Sequence, residues 1–168
     1  MKVLLLDLDG TIREPKSGAK FINDPLDQKP IDKAFDMCSY YQEKCWFLIG
    51  VSNQGGVAAG HKSLESAISE SQETLRLFPQ LSFIYFCPDY EGLKCYMVSR
   101  HNPATFFYQE SISELGSFRK PGAGMLNLAV RDNLTEELMM VGDRPEDEEA
   151  AKNARINFTW AEDWRNGF

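Results

Sequence analysis

The sequence of 168 residues contains no uninterrupted apolar run close to the roughly 18 residues that a membrane-spanning helix needs. Its early Leu4–Leu6 run is followed at once by Asp7 and Asp9, which excludes the apolar core of a secretory signal peptide. We therefore expect a protein with no membrane partner and a cytoplasmic location.

Cysteine is scarce, and its spacing is typical of neither a disulfide framework nor a metal knuckle. Cys38, Cys45, Cys87 and Cys95 form no Cys-x-x-Cys pair, so free thiols in a reducing compartment are expected. The sequence also has no Gly-rich loop ending in Gly-Lys-Ser/Thr, the loop with which many kinases hold nucleotide phosphates. Any kinase partner of this chain would therefore be a separate chain.

Positive charge is not in excess. Lys and Arg total 18 against 25 Asp and Glu, a net charge of −7. Residues 132–149 hold eight of the acids and one base and account for the whole of that −7, while the remainder is neutral. This pattern excludes a broad nucleic-acid-binding surface but permits short contacts with the end of a phosphorylated polymer.

Short apolar strands alternate with amphipathic helices along the chain. The predicted strands span residues 2–8, 46–51, 81–87, 138–141 and 156–160, and the predicted helices span 30–44, 63–78, 121–131 and 145–154. Repeated strand-helix units predict a single α/β domain over residues 1–168. Its expected form is a Rossmann-like three-layer sandwich with a central parallel sheet. Residues 10–28 are expected to be a loop, and residues 88–118 a small cap or insertion.

Four clusters of polar residues follow predicted strands or precede a predicted helix, which is where open parallel sheets bind ligands. They are Asp7-x-Asp9-Gly10-Thr11, Ser52-Asn53-Gln54, Arg119-Lys120-Pro121 and Gly142-Asp143 with Asp147. Paired carboxylates suit acid-base chemistry, a hydroxyl at a Gly-rich turn suits a phosphate, and spaced aspartates suit Mg²⁺. Taken singly, each cluster has an ordinary alternative: turn or cap acids, a plain strand-to-helix turn, or solvated cations.

In this order and spacing, the four clusters resemble the haloacid dehalogenase superfamily of aspartyl-phosphate phosphohydrolases over nearly the whole chain. Ser52-Asn53-Gln54-x-Gly56 with Arg119-Lys120-Pro121-x-x-Gly124-Met125 is similar to its small-cap branch. That branch includes histidinol-phosphate phosphatases, heptose-bisphosphate phosphatases and the polynucleotide 3′-phosphatase domain of polynucleotide kinase/phosphatases. Lys16-Ser17-Gly18-x-x-Phe21, followed by Pro25-x-Asp27, is most similar to the last of these, although Gln28 stands where that group usually has Trp.

The resemblance implies a role for each site residue and implies Mg²⁺ as cofactor. Asp7 is the expected nucleophile, and Asp9 is the expected general acid and then base. Ser52, Asn53 and Lys120 are expected to bind the phosphate. The expected metal ligands are a carboxylate oxygen of Asp7, the backbone carbonyl of Asp9 and a carboxylate oxygen of Asp143. Asp147 is expected to orient a metal-bound water or Lys120, and Thr11 and Arg119 are further supporting residues.

The resemblance predicts a Mg²⁺-dependent phosphomonoesterase that removes 3′-phosphate from DNA or RNA ends. One alternative is a small-molecule phosphatase of the histidinol-phosphate or heptose-bisphosphate type, and a second is a non-catalytic phosphate-binding module. The Lys16-Ser17-Gly18 segment favours the polymer, whereas the pI of about 4.9 favours a small ester. The partner is in either case a phosphate ester, and a monomer is compatible with the sequence.

Residues 88–118 raise two further questions. Heptose-bisphosphate phosphatases carry a zinc loop here with Cys-x-His and Cys-x-Cys spacings. In this chain Cys87-Pro-Asp89 lacks the His and Cys95-Tyr-Met97 lacks the second Cys, so thiols are favoured over zinc, and His101 is expected at the surface. The aromatic residues between 83 and 108 are expected to be core rather than a platform for stacking bases.

Overall fold

The computed structural model describes residues 1–131 and 137–167. Its strands are β1 Lys2–Leu6, β2 Arg13–Glu14, β3 Lys29–Pro30, β4 Trp46–Asn53, β5 Leu81–Cys87, β6 Lys94–Val98, β7 Thr105–Tyr108, β8 Glu137–Gly142 and β9 Asn157–Trp160. Its helices are α1 Ala34–Glu43, α2 Gly55–Ala58, α3 Leu64–Leu77, α4 Gly124–Val130, α5 Pro145–Asn153 and α6 Ala161–Asn166. Asp132 and Glu136, two of the acids in the 132–149 cluster, lie outside the described residues.

The main sheet has the strand order β7-β6-β5-β4-β1-β8-β9. The strands from β5 to β9 in this order are parallel, and β6 and β7 continue one edge in antiparallel pairing. The chain leaves β1 first toward β4 and later toward β8, so the strand order reverses at β1. Ligands bind at the carboxyl ends of strands beside such a reversal. The predicted α/β class with a largely parallel central sheet is confirmed.

Successive residues of β1 face opposite helical layers, as the two-residue period of a strand requires. Leu4 and Leu6 belong to a core formed with α1, α3 and α6. Val3 and Leu5 belong to a second core formed with α4 and α5. All four side chains are fully buried. A parallel strand covered on both faces reads as an unbroken apolar run, which is how this strand was recognisable in the sequence.

The segment 88–118 forms the β6–β7 hairpin, which lengthens the sheet. Its first turn is ordered by Asp89, whose carboxylate accepts hydrogen bonds from the N–H groups of Leu93 (3.1 Å) and Lys94 (3.2 Å). The carbonyl of Gly92 accepts the N–H of Phe118 (2.8 Å). The hairpin is thereby joined to the segment that carries Lys120.

The predicted helix over 30–44 begins later than expected, at Ala34. Lys29–Pro30 pairs instead with Arg13–Glu14 in a two-stranded ribbon, and Lys33 has a left-handed backbone with φ of 63°. The expected cap of the next helix is confirmed, since the Ser63 hydroxyl accepts the N–H of Ser66 at 3.0 Å. The short helices α2 and α6 were not predicted.

None of the helices in the described ranges combines the length and the apolar character that a membrane crossing requires. The four cysteines are free thiols, of which Cys45 is exposed and the others are buried.

Candidate active site

Asp7 lies directly after β1, at the centre of the carboxyl edge of the sheet. Its N–H donates to the carbonyl of Val141 (2.9 Å), which continues the pairing of β1 with β8. One carboxylate oxygen, Oδ1, accepts the Lys120 ammonium at 2.6 Å, and Oδ2 accepts the Thr11 hydroxyl at 3.1 Å. The residue is buried, so both oxygens have fixed directions in a site that excludes most water.

Lys120 is a buried ammonium between two carboxylates. Its Nζ donates to Asp7 Oδ1 and Asp147 Oδ1, both at 2.6 Å, and to the carbonyl of Val51 at 3.0 Å. Burial lowers the pKa of Lys120, but the charges of Asp7 and Asp147 outweigh it, so the pKa lies above the usual value. Asn53 holds the Lys120 backbone, because its amide donates to the Lys120 carbonyl and accepts the Lys120 N–H, both at 2.9 Å. Lys120 is thus a permanently charged group in a fixed position.

Three carboxylates converge beside this ammonium. Asp7, Asp143 and Asp147 each offer an oxygen, and these oxygens lie within 4.8 Å of one another. Burial raises the pKa of Asp7 to about 7, with Lys120 acting against the rise and the charge of Asp147 adding to it. Partial desolvation, followed by the charge of Asp147, also raises the pKa of Asp143, although this residue lies at the surface. Three ionised carboxylates beside one ammonium leave an excess of negative charge, which a bound cation would offset. Carboxylate oxygens are ligands that Mg²⁺ prefers.

Backbone geometry holds the Asp143 and Asp147 carboxylates beside Asp7. Gly10 has φ of 81°, and a Cβ on it would overlap the Asp143 carboxylate, so only glycine fits there. The Asp147 carboxylate accepts the N–H groups of Asp143 (3.2 Å) and Arg144 (3.1 Å) at the start of α5. The Asp147 carboxylate, fixed in this way, contacts Lys120 and also belongs to the group that could hold a metal.

Asp9 does not belong to the three-carboxylate group. Its two oxygens accept Nε and Nη2 of Arg13 at 3.1 and 3.2 Å, and 45% of its side chain is exposed. Ser52 is buried at the end of β4, and its hydroxyl accepts the Gln54 amide at 3.1 Å. The structure thus joins Lys120 to Asp7 at 2.6 Å and places an Asp143 oxygen within 4.8 Å of Asp7, while Arg13 holds the half-exposed Asp9 carboxylate.

Arg119 and Tyr90 stand beside the turn that follows Ser52. The Arg119 guanidinium lies 5.2 Å from the centre of the exposed Tyr90 ring. A Cβ on Gly55 would lie 3.5 Å from both terminal nitrogens of Arg119. One of these nitrogens, Nη1, is buried without a hydrogen-bond partner within the described residues. Arg119 therefore keeps, close to this turn, one donor that no described residue accepts.

The zinc candidates do not form a ligand set. Cys87 and Cys95 are buried on neighbouring strands, whereas His101 is exposed beyond the far end of β6. The Cys87 thiol donates to Asp89 Oδ1 at 3.2 Å, and burial raises its pKa to about 12. Within the described ranges, the group formed by Asp7, Asp143 and Asp147 is the one in which three such side chains converge.

The aromatic residues divide between core and surface. Tyr85 and Phe86 are buried in β5, as predicted. The expectation was wrong for Tyr90, Phe106 and Tyr108, which are about half exposed because they lie on a turn and on the β7 edge strand.

Two features of the site were not predicted. Arg165 of α6 donates to the carbonyls of Gly10 (3.2 Å) and Thr11 (2.6 Å) and so holds the loop after Asp7. A buried polar network lies behind Asp9 and Ser52. We call it the Arg13 network, and it consists of Arg13, Gln28, Gln54, Lys62, Glu70 and Thr74. Its one sequence signal is that Glu70 and Thr74 share the inner face of α3 with Ala67 and Leu75.

Comparison with known proteins identifies a matching family, similar relatives and a similar solved structure. The model of the family described as polynucleotide kinase 3 phosphatase matches residues 2–145. The chain is 29% identical over 160 residues to a D-glycero-beta-D-manno-heptose-1,7-bisphosphate 7-phosphatase of Vibrio cholerae, covering 91% of this chain and 76% of the relative. It is 29% identical over 168 residues to the enzyme of the same description from Haemophilus ducreyi, covering 92% and 79%.

Among solved structures, the fold is similar to that of the D,D-heptose 1,7-bisphosphate phosphatase of B. bronchiseptica complexed with magnesium and phosphate. The TM-score is 0.66 at 20% identity, and the match covers 95% of this chain and 79% of the other.

Proposed function

Because the chain belongs to the polynucleotide kinase 3 phosphatase family, within the haloacid dehalogenase superfamily of phosphatases, we propose that it hydrolyses a small phosphate monoester through a phosphoryl-aspartate at Asp7. The observation that carries the proposal is the fixed Asp7 carboxylate. It is held by Lys120 and Thr11 and lies within 4.8 Å of the Asp143 and Asp147 oxygens.

The reaction proceeds in two displacements at phosphorus. An Asp7 oxygen attacks the phosphoryl group, the bond between phosphorus and the leaving alcohol breaks, and Asp9 donates a proton to that alcohol. Water then attacks the phosphorus of the acyl phosphate and gives a proton to Asp9. Inorganic phosphate leaves, and the Asp7 carboxylate is restored. The partial exposure of Asp9 suits it to meet both the leaving alcohol and the incoming water.

Charge neutralisation supports both steps. The Lys120 ammonium and the Ser52 hydroxyl would bind the non-bridging phosphoryl oxygens, where donors in a buried site are most effective. Asp7, Asp143 and Asp147 supply oxygens that would hold Mg²⁺. When bound, Mg²⁺ offsets the negative charge of the phosphate and favours the ionised form of Asp7.

A phosphorylated sugar is the first substrate that we propose. The relatives from Vibrio cholerae and Haemophilus ducreyi act, by their names, on heptose 1,7-bisphosphate. Arg119, at the rim beside Tyr90, has an unpartnered Nη1 that would bind a second anionic group of such a substrate. Arginine suits this role because its planar fork matches phosphate oxygens.

Replacing Arg119 with Ala should raise KM for a sugar bisphosphate by about 10- to 100-fold, which corresponds to the loss of a hydrogen bond to a charged group. We expect kcat to change little, and KM for a monophosphate ester to change by less than about three-fold. Steady-state phosphate release on both substrates measures this. Arg76→Ala, which removes an exposed arginine paired with Glu73, is the matched control. Equal effects on the two esters would contradict the assignment.

A 3′-phosphorylated polynucleotide end is the second candidate. The description of the matching family favours it. So does the loop between β2 and β3, where the Lys20 ammonium lies 5.2 Å from the exposed ring of Phe21. Such a pair offers an aromatic face and a cation to one nucleotide at a chain end.

A substrate panel decides between the candidates. The panel contains heptose 1,7-bisphosphate, histidinol phosphate and a 3′-phosphorylated oligonucleotide, each with Mg²⁺ and with EDTA. We expect release of phosphate that depends on Mg²⁺ and a higher kcat/KM on the small esters. Preference for the oligonucleotide would favour the second candidate. Folded protein that releases no phosphate from any ester would support a non-catalytic phosphate-binding module and overturn the proposal.

A further inference from the structure

Arg13 is a fully buried arginine, and every N–H group of its guanidinium donates a hydrogen bond. It carries five N–H groups, and the structure gives it five acceptor contacts. Nε and Nη2 bind the two oxygens of Asp9, and Nη2 also binds Glu70 Oε1 at 2.5 Å. Nη1 binds Gln28 Oε1 at 3.3 Å and the Thr74 hydroxyl. With every donor engaged and no exposure to solvent, this side chain has one orientation.

Glu70 links the Arg13 guanidinium, through Gln54, to Ser52, which is proposed to bind the phosphate. Its carboxylate is buried and accepts Arg13 through Oε1 and the Lys62 ammonium through Oε2 at 2.6 Å. Oε1 also accepts the Gln54 amide at 3.3 Å, and the same amide donates to the Ser52 hydroxyl at 3.1 Å. A continuous chain of contacts therefore runs from Asp9 to Ser52 through buried groups. Ionic networks that are buried and fully paired hold their members rigidly.

We infer that Arg13 is a positioning residue that fixes the Asp9 carboxylate for proton transfer to and from the leaving group. The two-point contact of a guanidinium with a carboxylate sets both its position and its plane, which a single contact cannot do. Proton transfer depends steeply on such geometry. The inference rests on the proposed function, since it gives Asp9 the acid-base role.

Proton donation matters only for a poor leaving group, and this provides a readout that a merely structural role would not change. An alkyl phosphate such as glycerol 2-phosphate needs its leaving oxygen protonated, whereas p-nitrophenolate leaves readily as an anion. The value of kcat/KM reports the steps up to formation of the phosphoryl-aspartate. The ratio of kcat/KM for the two esters, measured on one sample, is independent of the fraction of protein that is folded.

Arg13→Met should lower kcat/KM for glycerol 2-phosphate by about 10- to 100-fold, a part of the roughly 10²- to 10⁴-fold that general acid catalysis contributes. The value for p-nitrophenyl phosphate should change by less than about three-fold, as expected where no proton is needed. Arg13→Lys keeps the charge but loses the two-point contact, and should give an intermediate ratio. Glu70→Gln is the second variant, read by the same ratio if Arg13→Met does not fold, and should shift it in the same direction.

Two further variants serve as controls, one for the loss of a buried-contact arginine and one for the acid-base role of Asp9. Arg100→Met removes an arginine whose Nη2 binds the carbonyls of Leu75, Phe78 and Leu81, and should leave the ratio unchanged. Asp9→Asn should lose activity selectively on glycerol 2-phosphate. If Asp9→Asn shows no selectivity, the acid-base role in the proposed function fails. If Asp9→Asn is selective but the Arg13 and Glu70 variants lose both activities equally, the inference about Arg13 alone is overturned.

Discussion

Replacing Asp7 with Asn should abolish phosphate release, with a loss of at least about 10⁴-fold in kcat, because the variant lacks the nucleophile on which both displacements depend. The amide has nearly the shape of the carboxylate and can still accept a hydrogen bond through its oxygen. Lys120 would keep its ion pair with Asp147 at 2.6 Å, so we expect the variant to fold. The loss would therefore be chemical rather than structural.

The test of Asp7→Asn is phosphate release with Mg²⁺ on the best ester of the panel, together with thermal unfolding. Asp163→Asn, a change from aspartate to asparagine at an exposed position of α6, is the matched control and should keep full activity. Full metal-dependent activity in Asp7→Asn would show that another group is the nucleophile.

Replacing Lys120 with Met should reduce both activity and stability. The ammonium is the group that would meet the charge developing on the phosphoryl oxygens, and loss of one such donor costs about 10²- to 10³-fold in kcat. Its removal also leaves Asp7 and Asp147 buried without their shared cation. Breaking a buried ion pair from one side lowers the free energy of unfolding by about 3 to 5 kcal/mol.

Urea unfolding of the metal-free protein measures the stability change in Lys120→Met, and phosphate release with Mg²⁺ measures the activity. Lys152→Met, an exposed lysine of α5, is the matched control for both measurements. Activity within about three-fold of the unmodified protein, together with an unchanged free energy of unfolding, would show that the Lys120 contacts contribute to neither property.

The ends of the central strands were predictable because neighbouring residues in the sequence mark where each strand stops. An apolar run followed by Asp7-Leu8-Asp9-Gly10 marks where β1 stops, and Gly142-Asp143 does the same for β8. Parallel strands bring such ends to one edge, so the convergence of Asp7 and Asp143 follows from the fold class. The contact of Lys120 with Asp7 bridges 113 residues and was not predicted, since the family resemblance implied only that Lys120 binds the phosphate.

The Arg13 network could not be predicted because its members are joined by tertiary contacts alone. Arg13 and Glu70 are 57 residues apart in the sequence, and arginine and glutamate are residue types that usually lie at the surface. The same long-range packing explains the late start of α1, since Pro30 pairs with Arg13 in the β2–β3 ribbon. A proline near the start of an amphipathic segment predicts a helix from local sequence alone. Here the pairing of Pro30 in the β2–β3 ribbon determines its conformation instead, and the helix begins at Ala34.

The acidic cluster of residues 132–149 has a divided role in the described part. Asp143 and Asp147 belong to the group of three carboxylates that could hold a metal ion. Glu146, Glu148 and Glu149 are exposed in the first turns of α5, where the helix dipole favours negative charge. The described acids at residues 143–149 are thus divided between the proposed metal-binding edge and the helix beside it.

The phosphoryl-aspartate itself is the most direct test of the account. The protein is mixed with its best ester and Mg²⁺, quenched in acid within one turnover and digested, and the peptides are analysed by mass spectrometry. The account predicts one added phosphoryl group on the peptide that contains Asp7, removable by hydroxylamine and absent from Asp7→Asn. Turnover with no phosphorylated Asp7 peptide at any quench time, or with the phosphoryl group on another residue, would contradict it.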